Sequence, residues 1–235
     1  MSSRPRTDAA RRTGGMTLIE IAVAVAILGV LAAIAAPNVS QWARHQRLKD
    51  GARSVGDLLL LARAEAIRTG RRHVVFFGPP GTTDPAGTAV EANGAWAPFI
   101  VLDDGIPTNA NCAIEAGEDV DGLIPLDGVS WGISRAAHGV PTDPGAAPFN
   151  SPSPWDGATF ADADGNAVPW VLFGPDGIPL TFDGSGGDCG TLSGVGGGGG
   201  TLYVTDGERD YAIVLTPIGG VRLYLWNPER GQWSS

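Results

Sequence analysis

Between Gly15 and Pro37 lies an apolar run of 21 residues, Met16 to Ala36, broken by a single carboxylate at Glu20. Wound as a helix at ~1.5 Å per residue, it is about 32 Å long. The hydrocarbon core of a bilayer is roughly 30 Å thick, so the run is long enough to cross one. An ionisable side chain in such a segment costs about 2.5–3.5 kcal/mol at the centre and less near an end, where Glu20 sits. Whatever compensates that carboxylate must explain the segment.

The flanks give an orientation. Arg4, Arg6, Arg11 and Arg12 precede the run against one acid, Asp8. Positive charge beside a span stays on the cytoplasmic side, so the remainder leads outward. The whole chain carries a formal charge of −9 and the part after the basic leader is more acidic still, which argues against nucleic-acid or anionic-membrane binding by its bulk surface. These residues alone also leave open a secretory signal peptide ending near Ala33-Ile34-Ala35. The run exceeds the ~7–15 apolar residues usual for such peptides, and Glu20 is out of place in one.

The residues Gly15-Met16-Thr17-Leu18-Ile19-Glu20-Ile21 resemble the class III signal of type IV pilins and type II secretion pseudopilins, with Met16 where that signal usually has Phe. The resemblance implies cleavage after Gly15 by a prepilin peptidase and N-methylation of the new terminus at Met16. It implies a bacterial inner-membrane subunit, its leader cytoplasmic and its C-terminal domain periplasmic. Its partners would be an inner-membrane assembly platform and the other pilins or pseudopilins of a filament. An α-amine at Met16 has an ordinary pKa of about 7.7–8 and is mostly cationic. In the family, the carboxylate at the Glu20 position pairs with a neighbour's amine. An unpaired carboxylate in a low-dielectric setting is expensive and a paired one far less so.

Beyond Pro37 a helical pattern resumes. Leu48, Ala52, Val55, Leu59, Ala62 and Ala66 are spaced 4, 3, 4, 3, 4, one apolar stripe that Leu58 and Leu61 widen. Arg44, Arg47, Lys49, Arg53, Asp57, Arg63 and Arg68 are left for the other face, and Gly70 is a stop signal. The spacing predicts one helix over 16–69, about 80 Å long with a bend at Pro37. The stretch Leu59-Leu60-Leu61-Ala62-Arg63-Ala64-Glu65-Ala66-Ile67-Arg68-Thr69-Gly70 resembles a segment of the family joining H-type minor pseudopilins (GspH) with FimT-type minor pilins.

After Phe77 most of the glycines and prolines fall, and strand-like runs are separated by turn residues. Strands are expected at 72–77, 98–102, 128–133, 170–173, 179–182, 201–205, 211–216 and 221–226. Phe173-Gly174-Pro175-Asp176-Gly177 and Thr216-Pro217-Ile218-Gly219-Gly220 read as turns. A long helix followed by strands is an α+β arrangement, a helix packed on an antiparallel sheet. The expected organisation is a cleaved leader 1–15, a membrane half of the helix 16–36, an amphipathic half 37–70 and a β-rich domain 71–235. Segments 78–97, 103–127 and 134–169 read as long surface excursions.

Little else points to chemistry. The Gly196–Gly200 run lacks the Gly-Lys-Ser/Thr of a phosphate loop and reads as flexible linker. Asp162-Ala163-Asp164-Gly165-Asn166 lacks the ligand ladder of a calcium loop and reads as a solvated turn. His45, His73 and His138 have no metal-ligand spacing, and no Ser or Cys sits in a nucleophile setting, so neither a cofactor nor an enzyme is expected. Cys112 and Cys189, both on the exported side, are free to form a disulfide. Two functions stay open. One is a structural subunit, a minor pseudopilin of a type II secretion filament. The other is a FimT-like minor pilin of a type IV pilus, acting in assembly or in DNA uptake. DNA-binding relatives carry Gly-Arg-x-Arg near the C-terminus, where this chain has Gly219-Gly220-Val221-Arg222. Only Arg222 survives, and one cation releases few counterions, so nucleic acid is not an expected partner.

Overall fold

The computed structural model describes residues 16–105, 109–123, 129–133 and 157–234, without the side chains of 34–38, 123 and 131. One helix, α1, runs Leu18–Thr69. Its start is set by Thr17, whose hydroxyl accepts the Glu20 N–H at 3.3 Å. Its end is set by Gly70, at φ 68°, whose N–H donates to the Ala66 carbonyl at 3.0 Å. Lacking a Cβ, glycine enters this left-handed conformation at little cost.

The chain divides into two compact units, Met1–Ala43 and Arg44–Ser235. In the first, every described side chain of the apolar run from Met16 to Ala33 is exposed. Among the described residues, no helix is long and apolar enough to cross a membrane. The described side chains of the run stop at Ala33, whereas the apolar sequence continues to Ala36. Helical backbone passes through Pro37, which has no N–H to donate to the Ala33 carbonyl.

The second unit begins in the same helix and continues, among the described residues, through twelve strands. They are β1 (Arg72–Phe77), β2 (Glu91–Ala92), β3 (Ala95–Trp96), β4 (Phe99–Asp104), β5 (Asp119–Leu123), β6 (Ser130–Trp131), β7 (Trp170–Phe173), β8 (Pro179–Leu180), β9 (Gly200–Thr205), β10 (Asp210–Leu215), β11 (Val221–Asn227) and β12 (Gln232–Ser234). They form two five-stranded sheets, in the orders β5-β4-β1-β7-β8 and β6-β9-β10-β11-β12, plus the hairpin β2-β3. Every pairing is antiparallel, with Val75 opposite Val101 on one side and Val171 on the other. Leu48, Ala52, Val55, Leu59, Ala62 and Ala66 are all fully buried and share one core with β1, β4, β7, β9 and β10. The fold is α+β and pilin-like: a long N-terminal helix packed against antiparallel sheets.

Both faces of the first sheet are covered. The helix lies over the face bearing His73, Val101 and Asp103. On the other face Phe76 meets Trp170 edge-on at 6.2 Å, and Trp170 stacks on Phe182 at 4.9 Å. This is why β1 and β7 read as unbroken apolar runs rather than alternations. In the second sheet the helix approaches closely at Gly56, where a Cβ would stand 3.3 Å from both Val221 and Leu223. Its far face carries a smaller cluster of Tyr203, Ala212, Val214 and Tyr224.

Several expectations are corrected. Among the described residues the expected antiparallel sheet is present as two principal sheets. Leu61 does not widen the buried stripe; it is 57% exposed. Segments 78–97 and 103–127 are not mere surface excursions: they bury Thr82, Asp84, Val90, Cys112 and Ala113 and contribute the edge strand β5. The expected strand 128–133 narrows to Ser130–Trp131. Within 134–169, residues 134–156 lie outside the described residues, while Ala158, Phe160 and Val168 are core. The glycine run is packed chain, not linker. A Cβ on Gly198 would strike the Pro179 backbone and one on Gly200 the Phe160 ring, so only glycine fits there.

Candidate functional site

The residues that carry the functional reading sit at the start of α1. Gly15 lies outside the described residues; Met16 is exposed and Glu20 sits in the first helical turn. Thr17 and Glu20 occupy the N-cap and third positions of a helix start. A carboxylate there also faces the positive end of the helix dipole. The bond uses the Glu20 backbone N–H, and the Thr-x-x-Glu spacing is that of a capping box. Around it, Leu18, Ile19 and Ile21 are exposed, so the first turn offers a carboxylate framed by apolar surface.

Cys112 and Cys189 are joined as a disulfide, with Cα atoms 5.0 Å apart and a sequence separation of 77. Beside it lies Asp104, the last residue of β4 and 1% exposed. Its Oδ1 accepts the backbone N–H groups of Asn111 and Cys112, each at 3.0 Å. Those bonds hold Cys112 at φ 61°, a conformation uncommon outside glycine. Its Oδ2 is buried without a partner. Burial pushes the Asp104 carboxyl up to about 6, against the opposing pull of the two N–H donors. Arg72 donates to Cys189 Sγ at 3.6 Å. Asp104 and the two sulfurs lie within 4.8 Å of one another, a set that would suit a metal only if the sulfurs were not bonded together.

Arg222 is exposed on β11, opposite Val214. It shares a sheet face with Tyr224, away from the helix, since Val221 and Leu223 take the helix side. The two glycines before it build the β10–β11 turn. Gly219 N–H donates to the Thr216 carbonyl at 2.8 Å and Gly220 N–H to the Thr216 hydroxyl at 2.8 Å. A Cβ on Gly220 would stand 3.0 Å from that hydroxyl oxygen. Gly220, where a Gly-Arg-x-Arg pattern would place its first arginine, is therefore part of a tightly folded turn.

The arginine that sequence reasoning misplaced is Arg63. Assigned to the solvent face, it is half-buried, and its Nη1 donates to the Gly219 carbonyl at 2.9 Å. The β7–β8 turn closes on it from the other side, where a Cβ on Gly177 would stand 3.1 Å from Arg63 Nε. One guanidinium from the helix thus bonds the β10–β11 turn and packs beside the β7–β8 turn, its buried Nε without a hydrogen-bond partner. The two turns were legible as Gly/Pro clusters; their meeting over one side chain was not.

The remaining candidates stay structural. Asp162 Oδ1 accepts the N–H groups of Asp164 and Asn166, closing an exposed turn on itself. His73 is buried with Nε2 3.8 Å from Asp103, and His45 lies 3.9 Å from Glu208. His138 is outside the described residues. Arg71 grips Asp103 through two guanidinium nitrogens, Nε and Nη2, and holds its carboxyl below the usual range.

Residues 10–36 match the family described as the prokaryotic N-terminal methylation motif. No curated protein and no solved structure matches the chain. The match spans Arg11, Arg12, Gly15, Met16, Glu20 and the apolar segment to Ala36. The chain therefore joins a prepilin-type methylation motif to a pilin-like α+β fold, the equipment of a structural subunit and not of an enzyme.

Proposed function

We propose that this pilin-like chain is a minor pseudopilin of a type II secretion system. It is cleaved after Gly15, methylated at Met16, held in the inner membrane by residues 16–36, and then drawn into a helical filament. The observation that carries the reading is the pairing of the methylation motif with an apolar helical segment whose described side chains are all exposed. A helix apolar all round needs apolar surroundings on every side. A bilayer supplies them first and the packed helices of a filament second. Glu20 then aims at the cationic amine of a neighbour and fixes the register in which subunits dock.

The DNA-uptake form of the type IV pilus reading draws on Arg222 alone. The acidic surface and the turn at Gly219–Gly220 both favour assembly over DNA contact. N-terminal sequencing of the mature chain tests the processing: a methylated amine at Met16 is expected, and a start near Ala36 would end the proposal. Glu20→Ala is expected to insert and be cleaved yet be absent from sheared filaments. Wild-type levels of this variant in filaments would remove the docking role.

A further inference from the structure

We propose that Asp104 is the proton acceptor in the closing step of the Cys112–Cys189 disulfide, taking the proton of the Cys112 thiol as that sulfur bonds to Cys189. A carboxylate oxygen of Asp104 lies within 4.8 Å of both sulfurs. Its Oδ1 accepts the two backbone N–H groups that hold the loop at Cys112. Its Oδ2 is buried with no hydrogen-bond partner. Asp84 shows what a purely structural aspartate looks like in the same domain. It is 3% exposed, and its two oxygens accept the Thr88 and Ile114 N–H groups at 2.7 Å each. Pinning the loop at Cys112 needs only Oδ1, which an asparagine would supply without burying an ionisable group. The second oxygen, beside the sulfurs, is left over from that task.

The two sulfurs are not equivalent. Cys112 is fully buried and held through its N–H, whereas Cys189 lies between exposed Asp188 and Gly190. Arg72 Nη1 stands 3.6 Å from Cys189 Sγ, where its charge favours a thiolate. Cys189 is therefore the sulfur that meets an external disulfide first. Its thiolate attacks that oxidant, a mixed disulfide forms, and one thiolate of the oxidant leaves. The Cys112 thiol then gives its proton to the Asp104 carboxylate while its sulfur attacks Cys189 Sγ. The Cys112–Cys189 bond forms, the mixed disulfide breaks, and the second thiolate of the oxidant leaves. Two protein thiols are oxidised, one external disulfide is reduced to two thiols, and the two protons pass to those thiols through Asp104 and water.

The surroundings suit a base that works at neutral pH. Burial pushes the Asp104 carboxyl up to about 6, against the Cys112 and Asn111 N–H donors. The charged groups acting on it are Glu118, ahead of β5, which adds to the rise, and Arg72, on β1, which opposes it. A carboxyl in that range is ionised at pH 7 and is a stronger base than an ordinary aspartate.

The test isolates the closing step. Full-length chain in detergent is reduced with a phosphine and mixed, under native conditions, with an aromatic disulfide whose thiolate is coloured. The first release of colour reports the mixed disulfide and the second reports closure. The wild-type closure rate should rise from pH 5, bend near pH 6 and level off by pH 7. Asp104→Asn keeps the Oδ1 acceptor and should slow closure by about tenfold or more at pH 7. Its rate should climb with hydroxide and meet the wild-type rate above about pH 8.5, where thiols ionise unaided. Mass mapping of the acid-trapped mixed disulfide should place it on Cys189. A wild-type rate that climbs with hydroxide from pH 5 to 8 without a bend overturns the proposal, whatever the variant does. An Asp104→Asn rate that is unchanged, or lowered by one factor at every pH, also overturns it, the second result being that of a residue that only positions Cys112. A mixed disulfide found on Cys112 overturns the order of the two sulfurs and with it the role of Asp104.

Discussion

The two stretches of α1 share a backbone geometry and differ in how apolar residues are distributed around it. From Leu18 to Ala33 they surround the helix, and every described side chain is exposed. From Leu48 to Ala66 they recur every three or four residues, and the six stripe positions are fully buried. The periodic stretch finds its apolar partner within its own chain, because one stripe matches one surface. The uniform stretch has no single face to satisfy and is left for surroundings that are apolar on all sides. One helix therefore holds a segment whose packing is complete and a segment whose packing awaits other molecules.

The sharpest way to break this contrast is to remove what completes the second unit. Reducing the Cys112–Cys189 bond, or replacing both with Ser, should destabilise Arg44–Ser235 by up to about 4.5 kcal/mol on the chain-entropy account. Helicity and membrane extraction of residues 16–36 should be unchanged. Loss of both together in circular dichroism and extraction assays would show the two stretches to be coupled. Next in size, Leu59→Ala should cost about 2–5 kcal/mol in denaturant unfolding, because the stripe has no water to fill the gap. Leu61→Ala, three residues from the stripe's Leu58 and exposed, should stay within about 0.5 kcal/mol. Equal losses at the two positions would erase the distinction between the stripe and its exposed flank.

Asp104 yields a pH effect of intermediate size. Its folded carboxyl, pushed up to about 6, holds its proton more tightly than the unfolded one near 3.8. Stability of the second unit should therefore rise as pH falls through 6 toward 4, by about 2 kcal/mol between pH 7 and 4.5. Asp104→Asn keeps an oxygen for the Asn111 and Cys112 N–H groups and should flatten that slope. Carboxyls held low, Asp103 by Arg71 and Asp183 (to about 2) by the Ser185 and Thr191 N–H groups, act with the opposite sign only at lower pH. Denaturant midpoints across pH 4–7 that are unchanged by the substitution would remove Asp104 from this role.

The legible parts of the fold were those governed by local period. The spacing 4, 3, 4, 3, 4 marked the buried residues of the helix, and the apolar runs of β1 and β7 marked strands buried on both faces. Gly70 marked the helix stop. What escaped lacked a local signal. Asp119-Val120-Asp121-Gly122-Leu123 has poor strand propensity and is a strand only because β4 pairs with it. Gly196–Gly200 looked like a linker because composition does not reveal that Pro179 and Phe160 leave no room for a Cβ. The sequence showed that Cys112 and Cys189 could pair; it held no sign that Asp104 would set the backbone at Cys112.

By itself, the sequence determined the methylation motif and the α+β class, because each depends on residues adjacent along the chain or repeating at a helical or strand period. Tertiary structure alone decided that the strands divide into two sheets, that Arg63 bonds the β10–β11 turn beside the β7–β8 turn, that the glycines before Arg222 belong to a turn, and that Leu61 stays exposed beside the acidic residues of β5. Those outcomes depend on which distant segments reach the same place. That is settled by packing the whole core at once, under the demand that buried polar groups find partners.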